Sequence, residues 1–315
     1  MRSGVSTAAG LLIGFALDRV FGDPRRWHPV AGFGMLAARL ESVTYADRRR
    51  AGLIHEVVLV GGVLGAGAIL HRGGTVAVAA ATWTALGGRS LARTGREMAG
   101  HLESGDLREA RELLPSLCGR DPESLDADGL ARAALESIAE NTADAAVAPL
   151  VWGAVAGVPG LLGYRAINTL DAMIGYRNPR YGRFGWAAAR VDDAANLLPA
   201  RLTGVLTALV APLIGGRPAE VLRTWRRDAA RHPSPNAGVV EAAAAGALGV
   251  RLGGRTEYRH GVEYRPELGT GPVPGVADLR RAVRLSELVQ YAAVVTAVAV
   301  VPLARALRRC GPGGP

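Results

Sequence analysis

Residues 53–92 read LIHEVVLVGGVLGAGAILHRGGTVAVAAATWTALGGRSLA, two apolar runs at 53–70 and 75–92 joined by His71-Arg72-Gly73-Gly74. Each run approaches the roughly 20 residues that a helix needs to cross a bilayer. The short link predicts an antiparallel helical hairpin. A third run at 287–304, in VQYAAVVTAVAVVPLARAL, is followed by Arg305, Arg308 and Arg309, whose long side chains can reach the headgroups. Further apolar segments lie at 4–17, 145–163 and 199–216. Ala, Gly, Val and Leu dominate and aromatics are few, a composition that lets helices approach closely within a membrane. The expected fold class is therefore all-α, a polytopic helical membrane protein in which residues 1–315 form one membrane domain.

Arginine placement orients it. Arg25, Arg26, Arg39 and Arg48 to Arg50 mark the 18–52 loop as cytoplasmic, and Arg93, Arg96, Arg108, Arg111, Arg120 and Arg132 mark 93–142 likewise. The Arg-rich region 217–285 stays inside only if 145–163 and 199–216 both cross or neither does. Pro149, Pro159, Pro199, Pro212 and Arg201 make both poor spans. Membrane-dipping helices are favoured, because irregular backbone at that depth is tolerated where it lines a cavity. The polar site then faces the cytoplasm. Residues 217–285 read as a basic, turn-rich cytoplasmic subregion, with Arg223, Arg226, Arg227 and Arg231, and GVRLGGRTEYRHGVEYRPELGTGPVPG has room for a short hairpin. The first apolar segment lacks a signal peptide's charged flank, beyond Arg2, and a clean A-x-A site, so it is expected to remain attached.

The net charge is +9, and every one of the 37 Lys-or-Arg positions is arginine. No Walker-type lysine, Schiff-base lysine or adenylating lysine is available. Any nucleotide site must use arginine, backbone N–H groups and metal. No aromatic-interleaved basic stripe of the kind that stacks bases is present, so nucleic acid is not an expected partner. Anionic lipid and phosphorylated substrates remain. Cys118 and Cys310 are far apart without metal-ligand spacing, and read as free thiols.

The polar residues concentrate between apolar stretches. In ESIAENTAD, Glu136, Glu140 and Asp144 are spaced four apart and would share one helix face, beside Asn141. Asn168 and Asp171 are three apart in AINTLDAM, and Asp192, Asp193 and Asn196 form a DDxxN triplet followed by Arg201. Like charges so placed cost helix stability unless something positive offsets them, and a divalent cation holding phosphate does so with hard oxygen ligands. A solvated acidic face is the plainer alternative. At the N-terminal end, LDRVFGDP carries Asp18 and Asp23, and His28 follows at the edge of an apolar helix, where ionisable groups line substrate routes. In RHPSPNAG (231–238) Asn236 can cap the following alanine-rich helix, and that helix's N–H groups can equally hold a phosphate.

Taken together and in this order, LDRVFGDP, HPV, ESIAENTADAAVAPL, AINTLDAMIGYRNPRYGRFGWAAARVDDAANLLPARLT and RHPSPNAGVVEAAAAGALGVRLGG resemble the adenosylcobinamide-phosphate synthase family of cobalamin biosynthesis, the CobD/CbiB type. The resemblance covers about residues 11–300. It implies a multi-pass enzyme of the bacterial cytoplasmic membrane that joins adenosylcobyric acid, a corrinoid, to (R)-1-aminopropan-2-ol phosphate in an ATP-dependent amide ligation. Other cobalamin-assembly membrane enzymes are possible partners. On this resemblance Asp192, Asp193, Glu140 and Asp144 would hold Mg²⁺ on the nucleotide, and Arg190, Arg165 and Arg177 would neutralise transferred charge. Asn141, Asn168 and Asp171 would orient the reacting groups, with Asp171 or His28 as general base. Asp18 and Asp23 would line the substrate route, and His232 and Asn236, beside Arg231, would take the aminoalcohol phosphate. Two other readings stand beside it. One is an intramembrane Mg²⁺-dependent transferase of diphosphate substrates, suggested by DDxxN. The other is a transporter with Glu140, Asp144 and Asp171 as an ion path, for which no inverted repeat speaks.

Overall fold

A computed structural model describes residues 2–23, 28–258 and 261–309, the side chains of 2–5, 257, 258, 262 and 303–309 excepted. Arg25, Arg26 and Cys310 lie outside it, as do the side chains of Arg305, Arg308 and Arg309. In chain order the helices are α1 (Arg2–Phe21), α2 (Pro29–Thr44), α3 (Arg49–Leu70), α4 (Gly74–Ala85), α5 (Gly88–Glu103), α6 (Leu107–Leu113), α7 (Ala127–Thr142), α8 (Ala148–Ala156), α9 (Val158–Ile174), α10 (Tyr181–Phe184), α11 (Trp186–Val210), α12 (Pro218–Asp228), α13 (Ala237–Leu248) and α14 (Val276–Arg309). A two-stranded antiparallel sheet, β1 (Leu252–Tyr258) with β2 (Gly261–Leu268), fills the stretch where a hairpin had room. Among the described residues three helical stretches are long and apolar enough to cross a membrane: Arg49–Glu103, Trp186–Ile214 and Val276–Pro302. The chain is a helical membrane protein.

It divides into two compact units. The first comprises Met1–Gly87, Asp144–Asn196 and Ala293–Pro315. Its closest helix pairing is α1 on α4, permitted by Gly10 and Gly14 on one face of α1: a Cβ at Gly10 would lie 2.5 Å from Val78 Cβ, and one at Gly14 would collide with Thr82. The expected α3–α4 hairpin is not formed. Instead α3 packs along α9, and α4 along α1 and α9. The 75–92 run also splits, since α4 ends at Ala85 and Gly87 N–H donates to Ala145 O at 3.0 Å.

The 145–163 segment is two helices, not one. Gly157, at φ +66°, turns the chain between α8 and α9, a conformation that a side chain disfavours. Nine residues in α8 reach only about 13 Å, too short to span. Pro199, by contrast, lies inside α11 without ending it. Proline cannot donate to the carbonyl four residues back, and Ala195 O instead accepts from Trp152 Nε1 at 3.0 Å. An apolar cluster of Ala37, Leu59, Leu170, Ile174, Phe184 and Ala188 closes this unit.

The second unit comprises Gly88–Ala143 and Leu197–Ala292. Here α5 is amphipathic, burying Leu91, Ala92, Gly95, Met98, Ala99 and Leu102 and packing on α7. The wholly buried α13 packs on α12 and α7. The β1–β2 ladder carries a bulge at Leu252–Gly254, with Gly253 at φ +81°.

Candidate functional sites in the two units

In the first unit the polar residues gather around Asn168. Its side-chain N–H₂ faces Asp144 Oδ2 and Asp192 Oδ1, each at 3.5 Å, and its Oδ1 accepts from Arg165 at 3.3 Å. Asn196 donates to Asp192 Oδ2 at 3.0 Å and accepts from the buried Tyr164 hydroxyl at 2.9 Å. Two aspartates from separate elements therefore share one amide. A π-helical turn at Ala143–Val147 follows α7. An i→i+5 turn breaks the spacing of four. Glu136 and Asp144 consequently reach different partners rather than sharing one face.

Glu56 joins this cluster from α3. It is 2% exposed, both its oxygens are buried without a hydrogen-bond partner among the described residues, and it lies within electrostatic reach of Asp171 and Asp192. A single acid inside an apolar run gives little signal in a hydropathy reading, and the sequence expectation passed over it. Asp171 lies over the end of α9, where a Cβ at Gly175 would collide with its Oδ1. Arg165 keeps Nε buried and unpartnered, and lines an apolar cavity of about 180 Å³ with Pro29, Phe33, Val63, Leu162 and Thr169.

The other expected residues of this unit are arranged differently. Asp193 points to Arg190, 3.7 Å away on the exposed side of α11, rather than joining Asp192. Neighbours in a helix diverge by about 100°, so a DD pair does not present both carboxylates to one point. Arg177 is exposed in the turn after α9. His28 caps α2, its Nδ1 accepting from Val30 N–H at 3.2 Å. Asp18 is buried near the end of α1, and Asp23 has one buried oxygen without a hydrogen-bond partner among the described residues.

In the second unit the polar residues are paired by charge. Glu136, nearly fully buried, accepts from Arg120, from the bulge N–H of Gly253 at 2.8 Å, and faces Arg265 at 3.5 Å. Arg265 also bonds Glu241 at 3.0 Å and His232 Nε2. Arginine only donates, so Nε2 accepts, and Nδ1 faces the Ser234 backbone, 3.0 Å from its N–H and 3.2 Å from its carbonyl oxygen. Burial, reinforced by the Arg265 charge, holds His232 down at about 4, and the ring is neutral. Glu140 belongs to this unit. Its side chain is exposed near the C-terminal end of α7. Asn141 turns back on its own helix, donating to Ser137 O at 3.0 Å.

The RHPSPNAG turn corrects the capping expectation. Asn236 makes no side-chain cap; Ser234 Oγ accepts from Asn236 N–H at 3.3 Å and Ala237 N–H at 3.2 Å. The N–H groups of Gly238 and Val239 go to Ser234 O and Asn236 O. The first turn of α13 has no N–H left over for a phosphate. Asn236 instead accepts from Arg201 at 2.6 Å, and Arg231 is paired with the buried Asp228 at 3.4 Å.

Among the described residues no three His, Cys, Asp or Glu side chains are drawn together as a ready metal cage. Magnesium held on substrate phosphates needs only one or two carboxylates. Asp144 and Asp192, with the orphaned Glu56 oxygens nearby, meet that requirement; Asp193 is directed elsewhere.

A family model described as CobD/Cbib protein matches residues 11–286. "Cobalamin biosynthesis protein CobD" of Mycobacterium tuberculosis is 63% identical over 299 residues, covering 93% of this chain and 96% of its own length. The protein of that name from Rhodobacter capsulatus is 44% identical over 301 residues, covering 88% and 92%. That from Geobacter metallireducens is 42% identical over 316, covering 94% and 99%. No solved structure matches significantly.

Proposed function

This chain belongs to the CobD/CbiB family of cobalamin biosynthesis, and from that premise we propose that it is the ATP-dependent ligase joining adenosylcobyric acid to (R)-1-aminopropan-2-ol phosphate at a bacterial cytoplasmic membrane. The observation that carries the reading is the Asp144–Asn168–Asp192 arrangement, half-buried beside apolar helices in the run that most specifically resembles the family.

Amide formation from a carboxylate and an amine in water is uphill, so ATP activates the corrinoid propionate as an acyl phosphate, which the amine then attacks. Such phosphoryl transfer needs alignment and charge neutralisation more than covalent help. Mg²⁺, when bound, supplies neutralisation of the nucleotide phosphates. Asp144 and Asp192 are the residues to hold it, with Glu56 as a third oxygen donor. Asn168 keeps the two aspartates in register, Tyr164 and Asn196 fix the Asp192 carboxylate, and Arg165 brings the nearest guanidinium. Asp171 is the general base proposed for the incoming amine, with His28 the alternative through its Nε2, since Nδ1 serves the α2 cap. Asp193 and Arg190 act together at the outer face of α11 as an ion pair. Within the second unit, His232 and Asn236 are the residues proposed for the phosphorylated amine.

The test uses purified full-length protein in detergent with ATP, adenosylcobyric acid and the amine phosphate. ATP consumption should require both other substrates, with adenosylcobinamide phosphate identified by mass spectrometry. Alanine at Asp192 should abolish ligation while leaving expression intact. Pyrophosphate release, or vectorial uptake into vesicles without turnover, would replace the ligase with the transferase or transporter reading.

A further inference from the structure

In the second unit a cavity of about 470 Å³ opens beside the RHPSPNAG turn, lined by Arg201, Trp225, Arg226, His232, Pro233 and Pro235 among others, and by no carboxylate. Its size lies within the range of about 300–1,000 Å³ common to small-molecule sites. Arg226 has no ion-pair partner among the described residues, and Arg201 bonds only neutral acceptors, Leu197 O and Asn236 Oδ1. The neighbouring arginines differ: Arg223 is taken by Glu220, and Arg227 and Arg231 by Asp228. His232 is neutral and turned toward Arg265, so it forms wall rather than charge. The indole is seated deliberately. A Cβ at residue 204 would lie 2.8 Å from the Trp225 ring, and Gly204 leaves that space open.

Two guanidiniums that no carboxylate among the described residues neutralises, lining one cavity together with Trp225, Pro233, Pro235 and Val239, suit a compact anion bearing a short carbon chain. Guanidinium forks match the oxygens of a phosphate. The helix N–H donors that could have competed for it are internally bonded. We propose that this cavity binds a phosphate monoester through Arg201 and Arg226, with Trp225 packing on the ester's carbon side and Asn236 as a positioning residue for Arg201. That the monoester is the phosphorylated amine rests on the ligase reading; that it is a monoester does not.

The experiment is calorimetric titration of ethanolamine phosphate and of inorganic phosphate into full-length protein in zwitterionic nanodiscs, without ATP or corrinoid. Both should bind, ethanolamine phosphate more tightly. Arg226→Gln, at an exposed position where the fold is not at stake, should weaken binding at least tenfold, and Arg201→Gln should do the same. Arg223→Gln, whose charge is already paired outside the cavity, should bind like wild type. Unchanged binding in Arg226→Gln overturns the proposal. So does loss of phosphate binding when phosphatidylglycerol is added to the discs, which would give the cavity to lipid headgroups. Binding that behaves as described in a protein without ligase activity sinks the ligase reading alone. Ligation that survives both arginine variants with unchanged binding sinks this proposal alone.

Discussion

In the first unit two aspartates share one asparagine, and the buried Glu56 meets no hydrogen-bond partner among the described residues. In the second, the buried Glu136 and Glu241 have every oxygen but one, Glu241 Oε2, against an arginine or a backbone N–H. Unpaired buried polar groups are scarce in native proteins, because leaving one unmade costs about 1–3 kcal/mol. A charge-matched network such as Arg120–Glu136–Arg265–Glu241 sets each buried carboxylate against a guanidinium and ties β1, β2, α7 and α13 together, leaving only Arg120 Nη1 and Glu241 Oε2 without a hydrogen bond among its described atoms. Around Asn168, by contrast, Asp144 and Asp192 converge on a neutral amide, and both Glu56 oxygens are buried without a hydrogen-bond partner among the described residues, which is why the first unit is the one proposed to take the cation. The difference is the ground for proposing that the first set meets a ligand while the second holds the fold, although both are equally acidic in sequence.

The sharpest way to break this contrast is to remove one member of each set. Arg120→Met leaves Glu136 with only the Gly253 N–H and Arg265, and should cost about 3 kcal/mol, the low end for breaking a buried pair because one counter-charge stays. Thermal and denaturant unfolding in detergent would read it. A cost below about 1 kcal/mol would mean that the pairing adds nothing beyond an exposed one. Glu56→Met should act in the opposite direction, raising stability by about 1–3 kcal/mol by removing unmade hydrogen bonds, while ligation falls. A destabilised Glu56→Met protein would show that the carboxyl is already satisfied, and the distinction between the units would fail.

A smaller effect is expected on titration. His232 is held at about 4 in the folded chain against about 6.5 when unfolded. Between those values the unfolded chain binds the proton and the folded one does not, so stability rises with pH. The contribution is full above about pH 6.5 and is lost progressively as pH falls toward 4, at no more than about 1.4 kcal/mol per pH unit. The physical cause is burial, with Arg265 adding repulsion to any imidazolium. Melting temperatures across pH 4.5–7 should show this slope in wild type and a shallower one in His232→Gln. Parallel slopes would remove His232 from the network.

Helical class, the membrane character and the proximity of Asn168 to Asp192 were legible, because apolar runs and polar interruptions are local properties of sequence. Three things were not. Glu136, Glu140 and Asp144 look equivalent at a spacing of four, and only the π-helical turn separates their destinations. Glu56 is averaged away in an 18-residue apolar stretch, although its burial without a partner marks it more strongly than the DDxxN motif marks Asp193. The α3–α4 hairpin was wrong because a short link fixes proximity of two ends, not packing of two helices. Gly10 and Gly14 made α1 the better partner for α4.

The RHPSPNAG turn offers the finest discrimination, between two side chains two residues apart. Ser and Asn are both strong capping residues, and sequence favours Asn236 because it directly precedes the helix. The fold assigns the cap to Ser234 and gives Asn236 to Arg201. Ser234→Ala should therefore cost about 1 kcal/mol and speed amide exchange at Ala237, while phosphate titrations stay near wild type. Asn236→Ala should leave Ala237 exchange unchanged and weaken phosphate, since Arg201 loses the acceptor that aims it. Alanine at 236 that frees the Ala237 amide while binding holds would return the cap to Asn236. The cavity's cations would then stand without their tether.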